Sequence, residues 1–283
     1  MKRKCKIMAE AMRRELREHK SSFLVFSTLR ILVVLVMIRQ FFNGNYENVF
    51  LGILTLLLLF VPSLIQVSFK IELPTTLEII IMLFIFSAEI LGEIQEFYII
   101  IPFWDTILHT LNGFLAAAIG LSMVVLLNDS KRVMFNLSPA FIALVAFCFS
   151  MTIGVIWEFF EFAMDQFFRL DMQKDTVIHT ISSVMLDPAG GNTPYMIRGI
   201  EEVMINGKEL GLGGYLDIGL IDTMKDLLVN FVGAVVFSII GYFYVKKRGK
   251  GGIVSRLVPS RKSKDRDYLE RVKTELEEEK GEQ

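Results

Sequence analysis

Residues 104–127, WDTILHTLNGFLAAAIGLSMVVLL, decide the fold. The stretch is long and apolar enough to cross a bilayer, whose hydrocarbon core of about 30 Å takes ~20 residues of helix. Its first turns nevertheless carry Asp105, His109 and Asn112, spaced i, i+4 and i+7 along one helix face. A spanning helix with an ionisable stripe at one end is costly in lipid, so the stripe needs partners or a purpose.

Working outward, five further runs read as spans, some only with their polar ends: Ser22–Phe42, Val49–Val67, Leu77–Leu91, Pro139–Phe162 and Asp222–Val245. The expected class is an all-α integral membrane protein, a six-transmembrane-helix bundle. Composition agrees: 53% of residues are hydrophobic, 22% are charged, mean hydropathy is +0.49 and net charge is −1. A disordered chain, a disulfide scaffold and a nucleic-acid binder are excluded, the last because no continuous basic face is present. Cys5 and Cys148 form no framework, and Cys148 inside an apolar run reads as a small buried apolar residue.

Local signals set the boundaries. Thr75-x-x-Glu78 after Pro74 has the pattern of a capping box, and Ser138-Pro139 supplies an N-cap followed by proline at the first helical position. Pro62 is expected to kink or end the second span. Ala116/Gly120, Ser150/Gly154 and Ala234/Ser238/Gly241 are small residues at helical spacing, which predicts close packing of spans four, five and six.

Lys and Arg set the orientation. The tail before span one holds eight: Lys2, Arg3, Lys4, Lys6, Arg13, Arg14, Arg17 and Lys20. Lys70, Lys131, Arg132 and the run from Lys246 through Arg248 fall on the same side, whereas the loops at 43–48 and 92–103 have none. Both termini are expected in the cytoplasm and the chain in the cell membrane. The organisation that follows is a basic cytoplasmic tail over 1–21, spans one to five over 22–167, and an extracytoplasmic cap over 168–220. Span six covers 221–245, and a charged, flexible cytoplasmic tail covers 246–283. The sequons at Asn128 and Asn136 fall on the cytoplasmic side and are set aside. The N-terminal tail reads either as an amphipathic helix on the anionic leaflet or as a solvated helix. In the cap, Val177, Ile178, Ile181, Val184 and Met185 suggest a short interfacial helix. Asn206-Gly207 suggests a type I′ hairpin, with a helix from Tyr195 as the competitor.

Two more ladders match the first. Span five carries Glu158, Glu161 and Asp165, and span six carries Asp222, Asp226 and Asn230. Given the directions of the spans, all three occupy a layer of roughly 10–12 Å beneath the outer surface. Glu89 and Glu93, at the outer end of span three, lie near the same level. Six carboxylates face only Arg30, Arg39 and Lys225, leaving about −3 in a low-dielectric layer. Raised pKa values, opening to water or a bound cation would relieve this. A hard divalent ion fits oxygen ligands with His109, so Mg²⁺, Mn²⁺ or Ca²⁺ comes before Zn²⁺. The expected metal set is Glu158, Glu161, Asp226, His109, Asp105 and Asp222, with Glu158, Asp226 and His109 catalytic. Asn112, Asp165 and Asn230 support them. Plainer readings stand beside these roles. Asp105 and Asp222 sit where N-caps fall, Asp165 near water, and Asn112 and Asn230 suit interhelical bonding. His109 alone reads as a satisfied buried histidine. Glu158, Glu161 and Asp226 have no such reading, being one or two turns inside.

At FYIIIPFWDTILHTLNGF, IGVIWEFFEFAMD, DMQKD and LIDTMKDLLVNFVGA the chain resembles the YjdF-type inner-membrane proteins and, more distantly, the VanZ-like membrane proteins. The VanZ-like pattern of Asp-x3-His, Glu-x2-Gln and Asp-x3-Asn-x2-Gly maps to Asp105/His109, Glu158/Glu161 and Asp226/Asn230/Gly233, with Glu161 departing from glutamine. The resemblance covers spans three to six. It implies a helical membrane protein, with some VanZ-like members linked to glycopeptide tolerance at the cell envelope, and no established reaction.

Three functions are consistent with this. The first is a metal-dependent hydrolase or transferase acting on a lipid or lipid-linked phosphate at the outer leaflet. The second is a non-enzymatic envelope protein whose polar network fixes helix packing or binds a partner. The third is a cation or proton transporter, disfavoured because the inner halves of spans four to six are almost wholly apolar.

Overall fold

The computed structural model describes residues 2–128, 137–247 and 254–281. Lys131, Arg132, Arg248 and the sequon residues Ser130 and Asn136 lie outside them. The described chain is mostly helical, and five of its helical segments are long and apolar enough to cross a membrane: Lys20–Phe42, Tyr46–Phe69, Trp104–Asn128, Pro139–Phe168 and Leu220–Lys246. Two compact units are distinguished, residues 1–151 with 230–283, and residues 152–229.

In the first unit, α1 (Lys2–Glu18) precedes α2 (Lys20–Phe42), and the extended backbone of His19 turns the chain between them. The second span is two helices, α3 (Tyr46–Leu58) and α4 (Val61–Phe69), and Pro62 opens the latter. Proline lacks the N–H and clashes with the preceding turn, which places the break just ahead of it, as expected. The third apolar run forms α5 (Thr75–Phe86), continued by a π-helical segment, Ser87–Ile94, and a single turn, α6 (Phe97–Ile100). The capping box at Thr75 is not realised. Pro74 occupies the cap, Thr75 is already helical, and Glu78 is buried instead of folding back. Trp104 Nε1 donates to the Ser87 carbonyl, where the helix widens.

α7 (Trp104–Asn128), the first part of α8 (Pro139–Phe168) and the last part of α9 (Leu220–Lys246) complete this unit. The Ser138 hydroxyl accepts from the Phe141 N–H, so that N-cap forms as predicted. Ala117, Ala118 and Leu121 pack with Ile142, Ala146 and Phe237 in one apolar cluster. A second joins Phe26, Leu29 and Val33 to Leu59, Met82 and Ile90. Large apolar side chains elsewhere on these helices, such as Leu24, Ile31, Leu35 and Ile239, are exposed, as a lipid solvent permits. Cys148 also lies on an exposed side of α8, not in the interior expected of it.

The charged segment after Lys246 reads as a tail with no core of its own, yet it is packed. β8 (Ser260–Arg261) pairs antiparallel with β1 (Ile71–Glu72), and α10 (Tyr268–Gly281) lies along α1. Arg14 grips Glu275 with two bonds of 2.8 Å, and Lys70 reaches Glu270 at 2.9 Å and Asp267 at 3.0 Å. Lys262 pairs with Glu15, their side chains only 3% and 4% exposed. Burial raises the Glu15 carboxyl above its usual range against the pull of Lys262, while Arg14 holds Glu275 below it. The buried side of α1, with Ile7, Ala11 and Glu15, thus faces protein.

The second unit holds the remainder of α8 and α9 and the segment between them. The interfacial helix expected near Val177 is absent. β2 (Val177–Ile178) pairs with β7 (Tyr215–Leu216), and β3 (Thr180–Ser183) with β4 (Tyr195–Arg198). β-branched Val177, Ile178, Thr180 and Ile181 favour extended pairing over a helix. The hairpin of β5 (Met204–Ile205) and β6 (Lys208–Glu209) turns at Asn206 and Gly207, φ 53° and 78°, the two positive values a type I′ turn requires.

Candidate functional site

Within the first unit the polar residues of α7 meet those of α9 at a close crossing. A Cβ on Gly113 would collide with the Asn230 carbonyl, and one on Gly233 with that of Thr110. Only glycine allows this approach, and it brings the Asn112 Nδ2 donor 3.2 Å from the side-chain Oδ1 of Asn230. Ser150 of α8 donates to the Gly113 carbonyl at 2.7 Å, so three helices meet at one glycine. Sequence reading treats Ser150 only as a small residue. Its burial beside a glycine with an available carbonyl is a tertiary fact with no sequence signal.

One turn towards the start of α7, His109 Nε2 lies 3.4 Å from Asp105 Oδ1. The imidazole is 10% exposed and the carboxylate 35%. Asp105 is the second residue of the helix and turns to His109, so it is not acting simply as a cap. The pair offers one imidazole nitrogen and a carboxylate, with the asparagines one turn deeper.

Within the second unit Glu158, Glu161 and Asp226 are buried, at 4%, 7% and 3% exposure. Trp157 Nε1 donates to Glu161 Oε1 at 2.8 Å, a bond along α8 that holds this carboxylate beside the indole. Among the described residues, the acids of this unit do not converge as a three-ligand group of their own.

Asp165 and Asp222 have a different task. The Asp165 carboxylate accepts from the N–H groups of Met172 and Gln173, at 2.7 and 2.9 Å, and Asp222 accepts from that of Lys174 at 2.7 Å. Asp217, which sequence reading passed over, accepts from Thr176 at 2.7 Å and Ile221 at 2.8 Å. Although burial opposes it, these N–H groups hold the Asp217 carboxyl below its usual range. Its signal was available, an acidic residue just ahead of a helix start. The three aspartates tie down the DMQKD loop between α8 and α9. The expected metal role of Asp222 thus has a loop-organising role beside it.

A helical bundle with several apolar helices of spanning length and polar residues at its crossings defines a multi-pass membrane protein. The chain belongs to the family described as "Predicted membrane protein (DUF2238)", which matches residues 24–247. No curated protein and no solved structure matches it.

Proposed function

We propose that this protein crosses the cell membrane six times, with both termini cytoplasmic, and holds a divalent cation at an outward-facing carboxylate–imidazole site that acts on a lipid or lipid-linked phosphate. The packing of α1 against α10 supports an even number of crossings, because both ends then lie on one side. With five long helices, α5 and its π-helical continuation supply the sixth crossing. The segment 168–220 then caps the outer face, and the basic residues of the tails favour a cytoplasmic position for the termini.

The observation that carries the site is the Asp105–His109 pair, a mostly buried imidazole beside a half-buried carboxylate. Asp226 stands on the same face of α9 as Asn230, one turn nearer the helix start. Asp105 and His109 supply one carboxylate oxygen and one imidazole nitrogen, and the set expected from the sequence adds Asp226, donors suited to Mn²⁺, Mg²⁺ or Ca²⁺ before Zn²⁺. Such an ion polarises phosphate oxygens or activates water. In the set expected from the sequence, Glu158 and Glu161 are further carboxylate donors, and Glu158 is also catalytic. The likeness to YjdF-type and VanZ-like proteins falls on these same residues and supports an envelope role.

The test is elemental analysis of gently purified protein beside the Asp226→Asn and His109→Ala variants. Both variants should accumulate normally and lose a metal that the wild type retains. Variants that accumulate with unchanged metal content overturn the site. A second reading, a polar network that only fixes packing, is favoured by the Asn112–Asn230 bond, and it predicts that both variants fail to accumulate.

A further inference from the structure

α1 carries a charged surface that the site above does not use. Lys6, Arg13 and Arg17 are spaced i, i+7 and i+11, which places them on one face of the helix. All three are exposed, and exposed Lys20 follows as α2 begins. Among the described residues no carboxylate lies within ion-pair distance of Lys6, Arg17 or Lys20, and Arg13 reaches Glu10 only at 3.7 Å. The opposite face, with Ile7 and Ala11, is buried against protein. A groove of about 380 Å³ between α1 and α10 opens beside Lys6 and Arg13, with Ala9 and Val272 in its lining.

We propose that this basic face docks α1 onto anionic phospholipid headgroups of the leaflet in which α2 begins. The occupant follows from two features. One residue separates α1 from the first spanning helix, so the cations are held at headgroup level by the chain itself. The apolar face of α1 is already covered, so the helix has charge and not hydrophobic area to offer the bilayer. Its contact is therefore electrostatic and salt-sensitive, unlike that of a helix that inserts. α10 holds α1 to the bundle through Arg14–Glu275 and Glu15–Lys262, and among the described residues the stripe cations make no ion pair to α10.

The experiment uses the full chain with Cys148→Ser, an environment-sensitive fluorophore on exposed Cys5, and nanodiscs containing a headgroup-level quencher. Adding phosphatidylglycerol to phosphatidylcholine discs should raise quenching roughly twofold or more, and salt of about 0.5 M should remove the increase. The Lys6→Gln/Arg13→Gln/Arg17→Gln variant should show no increase, and it retains every ion pair to α10. Equal quenching in both lipids, or an equal response in wild type and variant, overturns the proposal. So does a label that responds to added polyglutamate in phosphatidylcholine discs but not to phosphatidylglycerol, which would assign the face to an acidic protein.

Discussion

The Asn112 amide donates to the Asn230 side chain at 3.2 Å beside two glycines that each fill the space where a Cβ would strike the opposing backbone. The close approach and the polar bond depend on one another. Without Gly113 and Gly233 the helices separate and the amides lose contact. Remove either amide, and the other loses its partner across the crossing.

Gly233→Ala is therefore expected to destabilise the protein by about 1–3 kcal/mol through overpacking, and Gly113→Val by more. Thermal unfolding in detergent, followed by loss of the main gel-filtration peak, checks this. A wild-type midpoint in Gly233→Ala would mean that α7 and α9 do not approach as described.

A double-mutant cycle on Asn112→Ala and Asn230→Ala should give a coupling of about 0.6 kcal/mol, with ~1.7 as the upper end for such bonds in a membrane. Additive effects would show that the two amides act separately.

Removing one partner of the buried Glu15–Lys262 pair should cost more than removing both. Lys262→Met leaves a buried carboxylate without its cation, a change of about 3–5 kcal/mol, and Glu15→Gln in the same chain should recover most of it. The readout is protease sensitivity of residues 254–281. Equal sensitivity in the wild type and in Lys262→Met would refute the pairing.

The loop at 171–176 should loosen in acid. Asp217 has a depressed pKa when folded, so its stabilising effect is complete above the ordinary aspartate value of about 3.9 and fades as pH falls below it. Amide exchange at Thr176 and Ile221, corrected for intrinsic rates, should rise on acidification. Asp217→Asn should show that faster exchange already at neutral pH and lose the acid response.

Topology has its own check. A membrane-impermeant thiol reagent should reach Cys5 and a Glu277→Cys residue from the same side of the membrane, both being exposed in the structure. Labelling from opposite sides would require an odd number of crossings.

The spanning helices were legible because about 20 apolar residues in a row have few other uses. Pro62, Ser138 and Asn206-Gly207 were legible for a similar reason, since each acts through its own backbone chemistry. The third run was harder to read. α5 stops at Phe86 and the chain continues as a π-helix, a change of pitch that no residue from Ser87 to Ile94 announces. The apolar run at 177–183 suggests a helix because so short a run fits either period, and pairing with residues 195–198 and 215–216 makes it strands. The ladders identify which residues of the apolar runs are polar, but not their separate tasks. Asp165 and Asp222 look like Glu158 and Asp226 in spacing, yet their carboxylates bind loop N–H groups, a matter settled by a few ångströms at each helix end.

The clasp of α10 on α1 also bears on how the protein is made. Residues 254–281 leave the ribosome after every helix they hold in place, so Ile7, Ala11 and Glu15 lack part of their cover throughout translation. α1 precedes the other described helices and is yet among the last of them to be finished, and a nascent chain halted before Lys262 would carry Glu15 without its counter-ion.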